Sequence, residues 1–257
     1  IEKGFERVGK PCLIDFKYDG FRVMINKDKN GSIKIFTRRL DNVTSQFPDI
    51  VEYAKEYVKA DSFILDAEAV GYNPKTKVYQ PFQAISQRIK RKYNIEKLVK
   101  ELPIEINIFD ILYYNGESLI KEPFKERRKI VDKIVVSHAY KIKSSEAIIT
   151  DSIKEAEKFY KKAISAGEEG VMMKNLSAPY KPGARVGYGI KIKPEANEFD
   201  LVIIKAEYGT GKRAGWLTSY TLAFKDKNKF LEMGKVSTGL KEKEELKRNI
   251  SRRIKTR

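Results

Sequence analysis

Stretches in which every second residue is apolar recur along this chain and alternate with stretches of helical period. Residues 13–18, 22–26, 33–38, 63–72, 105–113, 170–175 and 187–193 read as strands. Between them, 49–58 carries Ile50, Val51, Ala54, Tyr57 and Val58 on one helical stripe, and 82–102 is a helical region with a very basic middle. Residues 124–136 form another helical stretch, entered through Pro123, with Ile130, Val131 and Ile134 inward. Ser152 and Glu155 make a capping-box signature, Ile153, Ala156, Phe159 and Ala163 follow at helical spacing, and Gly167 ends the run. The pattern predicts an α+β domain of antiparallel sheets flanked by helices, running to about residue 198. Pro194, Glu195, Ala196 and Asn197 read as a linker. Beyond it, 201–208, 219–225 and 230–236 read as three strands joined by Gly- and Lys-rich turns, and 240–257 as a basic, helix-like end. The expected division is 1–198 and 199–257.

Charge adds a partner class. The 257 residues hold 52 Lys+Arg against 35 Asp+Glu, a net +17 that favours a polyanion. The excess is uneven, since residues 200–257 carry 15 basic and 7 acidic side chains. A Lys- and Glu-rich solvated surface of the thermophile kind is the competing account. Cys12 is the sole cysteine, so an intrachain disulfide is excluded and a reducing, intracellular setting is expected. It sits in an apolar strand, as a core residue would. His138 is the sole histidine, which excludes a multi-histidine metal site. No apolar run reaches membrane length, and nothing at Ile1 reads as a signal peptide. A chain that starts without Met reads as a processed, engineered or excised segment.

The most chemical stretch is Lys17-Tyr18-Asp19-Gly20-Phe21-Arg22. It puts a lysine, an acid and an arginine around a glycine turn at the end of a strand, with Asp15 and Lys17 on one face. A lysine among other cations becomes a nucleophile when its amine is freed of its proton. Taken alone, the hexapeptide is a charged hairpin.

Other segments answer to it. The pattern K-x-D-G-x-R resembles motif I of the covalent nucleotidyltransferases, the superfamily of DNA ligases, RNA ligases and mRNA capping enzymes. In the superfamily's order, Asp66-Ala67-Glu68 resembles motif III, and Ile108-Phe109-Asp110-Ile111-Leu112-Tyr113 resembles motif IIIa. Glu169-Gly170-Val171-Met172-Met173-Lys174 is similar to motif IV, and Lys191-Ile192-Lys193-Pro194 to motif V. The segments between, among them Phe36-Thr37-Arg38-Arg39, Arg88 to Tyr93, Asn115 to Leu119, Gly211 to Gly215 and Ser237 to Leu240, resemble ATP-dependent DNA ligases of the archaeal and eukaryotic kind.

The resemblance implies an ATP-grasp-like adenylation domain followed by a partial OB-fold β-barrel, and a monomer that acts on nicked double-stranded DNA. It implies Lys17 as the nucleophile that takes AMP from ATP. Phe109 would stack on adenine, and Asp15 stands where relatives use a glutamate to read the adenine amino group, one methylene shorter. Arg22, Arg38 and Glu68 match ribose, phosphate or nick-end contacts, and Lys174, Lys191 and Lys193 match phosphate contacts. Glu169, with Glu68 assisting, would hold Mg²⁺ or Mn²⁺. For Asp66 a buried structural pair is expected, and Asp19 is expected to hold the turn.

The resemblance also carries expectations of absence. The sixth motif and the large N-terminal DNA-binding domain of such ligases are not found in the sequence, so weak nick sealing is expected. A sliding clamp is a partner only for a fuller protein. Two alternatives remain: another superfamily member, such as an RNA ligase or capping guanylyltransferase, and a non-catalytic DNA-binding platform built on the basic tail and the Arg88–Tyr93 run.

Overall fold

The computed structural model describes residues 1–91, 93–183, 187–195, 199–227 and 229–237. The chain divides into two units, Ile1–Pro194 and Glu195–Arg257, so the boundary falls after Pro194 rather than after residue 198. The basic end at 240–257 and the Ser237–Leu240 segment beyond Ser237 lie outside the described residues, as does Lys92.

In chain order the first unit runs α1 (Glu2–Val8), β1 (Cys12–Lys17), β2 (Phe21–Lys27), β3 (Ile33–Thr37), α2 (Pro48–Tyr57), β4 (Phe63–Tyr72) and β5 (Tyr79–Gln80). It continues with α3 (Phe82–Lys90), α4 (Ile95–Glu101), β6 (Ile104–Tyr114), β7 (Glu117–Ser118), α5 (Phe124–Ile134), β8 (Ile142–Ser144) and β9 (Ala147–Thr150). Helix α6 (Ile153–Ser165) and strands β10 (Gly170–Asn175) and β11 (Gly189–Ile192) close it.

Two sheets result. The smaller has the order β11-β10-β1-β9, all antiparallel. The larger follows β3-β2-β4-β6-β7, with β5 added to β4 and β8 lying parallel to β6. Alternation decides what each face does. On the small sheet Cys12, Ile14, Phe16, Val171 and Met173 point to one side, where Phe5 and Val8 of α1 and Ala156, Phe159 and Ala163 of α6 cover them. On the large sheet Val23, Ile25, Leu65, Ala67, Ile106 and Ile108 meet α2 and α5 through Ile50, Ala54, Val131 and Ile134. Each large apolar side chain so buried contributes roughly 1.5–3 kcal/mol. The residues one step out of phase, Asp15, Lys17, Arg22 and Glu68 among them, face away from both cores.

Local chemistry sets the helix ends. The Ser152 hydroxyl accepts from the Glu155 amide at 3.4 Å. The return half of the capping box is different: Glu155 pairs with the Thr150 hydroxyl, which itself accepts from the Ser152 amide. At the other end Gly167 takes φ +84°, and Glu168 and Gly167 donate to the carbonyls of Ala163 and Ile164, the two bonds of a Schellman motif.

The helical region expected over 82–102 is two helices. Arg91 is extended and Asn94 adopts a left-handed conformation, which asparagine tolerates, so the rod breaks between α3 and α4. Helix α1 and the short strands β5, β7, β8 and β9 are additions to the expected set. The second unit is an antiparallel meander of β12 (Val202–Tyr208), β13 (Leu217–Asp226) and β14 (Lys229–Val236), bulged in both pairings. Three curled strands match the opening part of an OB-fold.

Candidate active site

The polar faces of the two sheets line one cavity of about 710 Å³, wholly within the first unit. The small sheet presents Asp15, Lys17, Met172, Lys174 and Lys191 to it, because β1, β10 and β11 pair Asp15 with Met172 and Met172 with Lys191. The large sheet presents Arg22, Glu68 and Phe109, and Arg38 lines it beyond the end of β3.

Lys17 stands at the end of β1. Its ammonium pairs with the Glu169 carboxylate, and so does Lys193. The Glu169 amide donates to the Lys17 carbonyl at 3.0 Å, which fastens the carboxylate beside the lysine. Partial burial alone would raise the Glu169 pKa, but the bonds from Lys17 and Lys193 outweigh it and hold the carboxyl below its ordinary value. Lys17, Lys193 and Glu169, though taken from three separate motifs, thus form one cluster.

Two glycines make this approach possible. At Gly20 a Cβ would lie 2.3 Å from the Ala69 carbonyl oxygen, so the turn needs glycine for close packing against β4 and not for a left-handed φ. At Gly170, φ is +138° and a Cβ would stand 2.1 Å from the Ile192 carbonyl oxygen.

Phe109 is aimed by a bulge. Asp66 pairs with Asp110 and Ala67 with Ile108, which leaves Phe109 as the extra residue on β6. Its ring has the Lys174 ammonium 4.7 Å and the Arg22 guanidinium 5.8 Å from its centroid. Lys174 also donates to Asp15 Oδ2 at 2.6 Å, and the Ser145 hydroxyl reaches the same oxygen at 3.3 Å. Asp15 is almost fully buried, and its Oδ1 has no hydrogen-bond partner. A buried acceptor left open costs free energy until a donor fills it, so Oδ1 suits a ligand amino group.

Arg22 is held by a two-point pair with Asp66, through Nε at 2.7 Å and through Nη2, and Nη2 also meets the Tyr180 hydroxyl at 2.9 Å. Asp66 is fully buried and so belongs to a structural pair, as expected. Burial pushes the Glu68 carboxyl up to about 7, against the pull of Lys17 and with a further push from Asp66.

Asp110, Arg127 and Tyr180 also line the cavity, with no role recognised for them in the sequence. Asp110 and Arg127 form a buried two-point pair at 2.8 and 2.9 Å, and Arg127 Nη1 reaches the Ala178 carbonyl at 3.2 Å. That pair clamps the segment after β10, which brings Tyr180 over the cavity. Asp110 lay in a quoted motif; no short-range pattern marks Arg127 or Tyr180.

Residues 1–193 match the family described as the ATP dependent DNA ligase domain. The chain belongs to that family. It is 51% identical over 253 residues to a DNA ligase of Nanoarchaeum equitans, covering 98% of this chain and 44% of the relative. It is 45% identical over 239 residues to DNA ligase 2 of Methanosarcina mazei, covering 91% of this chain and 42% of the relative. The chain thus spans less than half the length of these curated relatives. Among solved structures, the ligase domain of LigD from M. tuberculosis shares its fold at TM-score 0.57 and 22% identity, covering 95% of this chain and 73% of that one. The structure Pmar-Lig_PreS3 shares it at TM-score 0.70 and 21% identity, over 98% of this chain and 58% of that one. The DNA ligase family accounts for the five motif-like segments facing one cavity.

One basic segment is spent elsewhere. Arg88 of the Arg88–Tyr93 run is buried against Asp49, with bonds of 2.8 and 2.9 Å and the Phe47 ring at 4.6 Å, so it is a core residue and not a free DNA contact. Among the described residues no helix is long and apolar enough to cross a membrane.

Proposed function

We propose that this chain is the catalytic core of an ATP-dependent DNA ligase acting on nicked duplex DNA. The observation that carries the reading is the convergence of Lys17, Glu169 and Lys193 beside a cavity that also holds the Phe109 ring and the open Asp15 Oδ1. Lys17 Nζ, once its ammonium has lost a proton to solvent, attacks the α-phosphorus of ATP and releases a second proton as the phosphoramidate forms. A P–N bond forms, the bond to the β-phosphate oxygen breaks, and pyrophosphate leaves with the electron pair. The 5′-phosphate at a nick then takes the AMP from Lys17. The 3′-hydroxyl attacks the phosphorus of that 5′-phosphate, AMP leaves with the electron pair, and the strand is closed.

Phe109 would stack on the adenine while Asp15 Oδ1 accepts from its amino group. Arg38, Lys174, Lys191 and Lys193 would neutralise phosphate charge, and Arg22 and Glu68 would contact ribose or the nick end. Glu169 and Glu68 would hold a partly hydrated Mg²⁺ or Mn²⁺. That ion would screen phosphate charge, and it needs few protein oxygens; among the described residues no group of three or more metal-ligating side chains gathers. A monomer, an intracellular location and, in a fuller protein, a sliding-clamp partner go with this reading.

The test is an intact-mass spectrum of the purified chain with ATP and Mg²⁺, with GTP, and with Lys17→Ala. A gain of one adenylyl group from ATP, absent from the variant, is the expected result. A guanylyl adduct of equal yield would point to a capping-type enzyme. No adduct in any arm would leave two readings, a ligase core that needs the sixth motif for its first step or a DNA-binding platform.

A further inference from the structure

A second concavity lies on the same face of the large sheet. Arg22 and Asn26 are four residues apart on β2 and point the same way, as do Glu68, Asp66 and Ile64 along β4, with Ser62 just before that strand. Beyond Asn26 the sheet edge and the β2–β3 turn enclose a pocket of about 520 Å³, lined by Asn26, Lys27, Lys29, Lys34, Ser62 and Tyr113 among others. Three lysines face it. Ser62 is 1% exposed, and its hydroxyl has no hydrogen-bond partner; the Asn26 side-chain oxygen is also buried and open. Lys27 is fixed at the wall by its bond to the Ala60 carbonyl at 2.7 Å. Asp28, the carboxylate of the turn, accepts the amides of Asn30 and Ser32 at 2.9 Å, so one of its oxygens is directed into the turn. A buried hydroxyl left open in a pocket lined by three lysines is a defect in a folded chain and a donor for a bound anion.

We infer that this pocket binds a phosphate group, with the Ser62 hydroxyl donating to a phosphate oxygen and Lys29 and Lys34 pairing with its charge. Two sources share this chemistry: a backbone phosphodiester of duplex DNA, and free phosphate. The placement favours DNA. Asn26 lies ~13 Å along β2 from Arg22, about four phosphates of one strand at ~3.4 Å of axial rise each. A strand whose end is held at the cavity would thus pass the pocket without leaving the sheet face. Only this DNA arm rests on the proposed ligase reading.

The experiment uses the whole 257-residue chain, Ser62→Ala, and the double variant Lys29→Gln/Lys34→Gln. Nicked duplex is titrated over a range of salt by fluorescence anisotropy. Inorganic phosphate is titrated separately while the Ser62 and Asn26 amide resonances are followed. Adenylyl-adduct yield at Lys17 is measured on the same samples, so loss of that activity is seen apart from loss of this site. For a DNA phosphate, the double variant lowers the slope of log affinity against log salt by about 1 to 2 and Ser62→Ala weakens binding several-fold, with adduct yield unchanged. For free phosphate, saturable shifts at Ser62 and Asn26 appear in the native chain and vanish in Ser62→Ala, while DNA binding stays the same. Unchanged salt slopes together with no phosphate-dependent shifts would overturn the inference. Ser62→Ala also carries its own check on folding, because removing an unpartnered buried hydroxyl should leave the unfolding midpoint level or raised.

Discussion

Gly20 shows how little slack the nucleophile's hairpin has. The Ala69 carbonyl occupies the space a methyl would need, and the Glu68 Cγ stands 3.0 Å from the same point. Gly20→Ala must therefore push β2 away from β4 at the turn that joins Lys17 to Arg22. A destabilisation of about 1–3 kcal/mol is expected from such overpacking, read as a fall in denaturant midpoint, with a slower gain of adduct at Lys17. A midpoint equal to that of the native chain would show that the turn yields freely. Cys12 is the opposite case, a residue with chemistry but no access. Burial removes it from solvent and pushes its thiol up to about 11, so the thiolate is scarce near pH 8. Iodoacetamide should leave the folded chain unlabelled at pH 8 and label it fully in denaturant; rapid labelling of the folded chain would contradict this. At this scale the sequence was informative where chemistry is local. Asp15, Lys17 and Lys174 share a face because strands alternate. The Arg22–Asp66 partnership spans 44 positions and was only half visible, and Tyr180 joins Arg22 across 158.

Among elements, the pair that joins α2 to α3 governs how a basic segment is used. Arg88 on α3 meets Asp49 in the first turn of α2, and its guanidinium also serves the carbonyls of Leu102 and Gln46. Such a charge, cut off from solvent, depends on its partner. Arg88→Ala should cost about 3–5 kcal/mol because Asp49 is left buried and alone. The nearby exposed Lys90 and Arg91 predict a different result. Changing both to Gln should leave stability within about 0.5 kcal/mol and affect only DNA binding and its salt dependence. Equal unfolding midpoints for Arg88→Ala and the native chain would refute the core assignment. A run of basic residues cannot announce which member is buried, since the deciding acid lies 39 positions away. The helix break is similar. Apolar period carries through 82–102, and the stop is a backbone choice at Arg91 and Asn94. The sheet strands were easier to read, because alternation repeats over six to eleven residues in β1, β4, β6 and β10.

For the whole molecule, the question is how far each unit stands by itself. Every residue lining the larger cavity, and the Glu169–Lys193 cluster beside it, falls within Ile1–Pro194. That unit has its own cores, one under each sheet, and the described residues that form them all fall within Ile1–Pro194. Nucleotide affinity should therefore belong to the first unit. Adduct formation is separated from it by working in Lys17→Ala, where ATP binds and no covalent step follows. A chain ending at Pro194 should bind ATP within about threefold of the 257-residue chain, measured by calorimetry with Mg²⁺ present. The distribution of charge predicts the reverse for DNA. Residues 200–257 carry 15 basic against 7 acidic side chains, so their removal should weaken duplex binding by tenfold or more at low salt and flatten its salt dependence. If ATP affinity fell with DNA affinity, the second unit would have to supply nucleotide contacts, and the site drawn from the first unit would be incomplete. If ATP affinity holds while DNA affinity falls, the two units divide the work, with activation of the phosphate in one and much of the hold on the polyanion in the other.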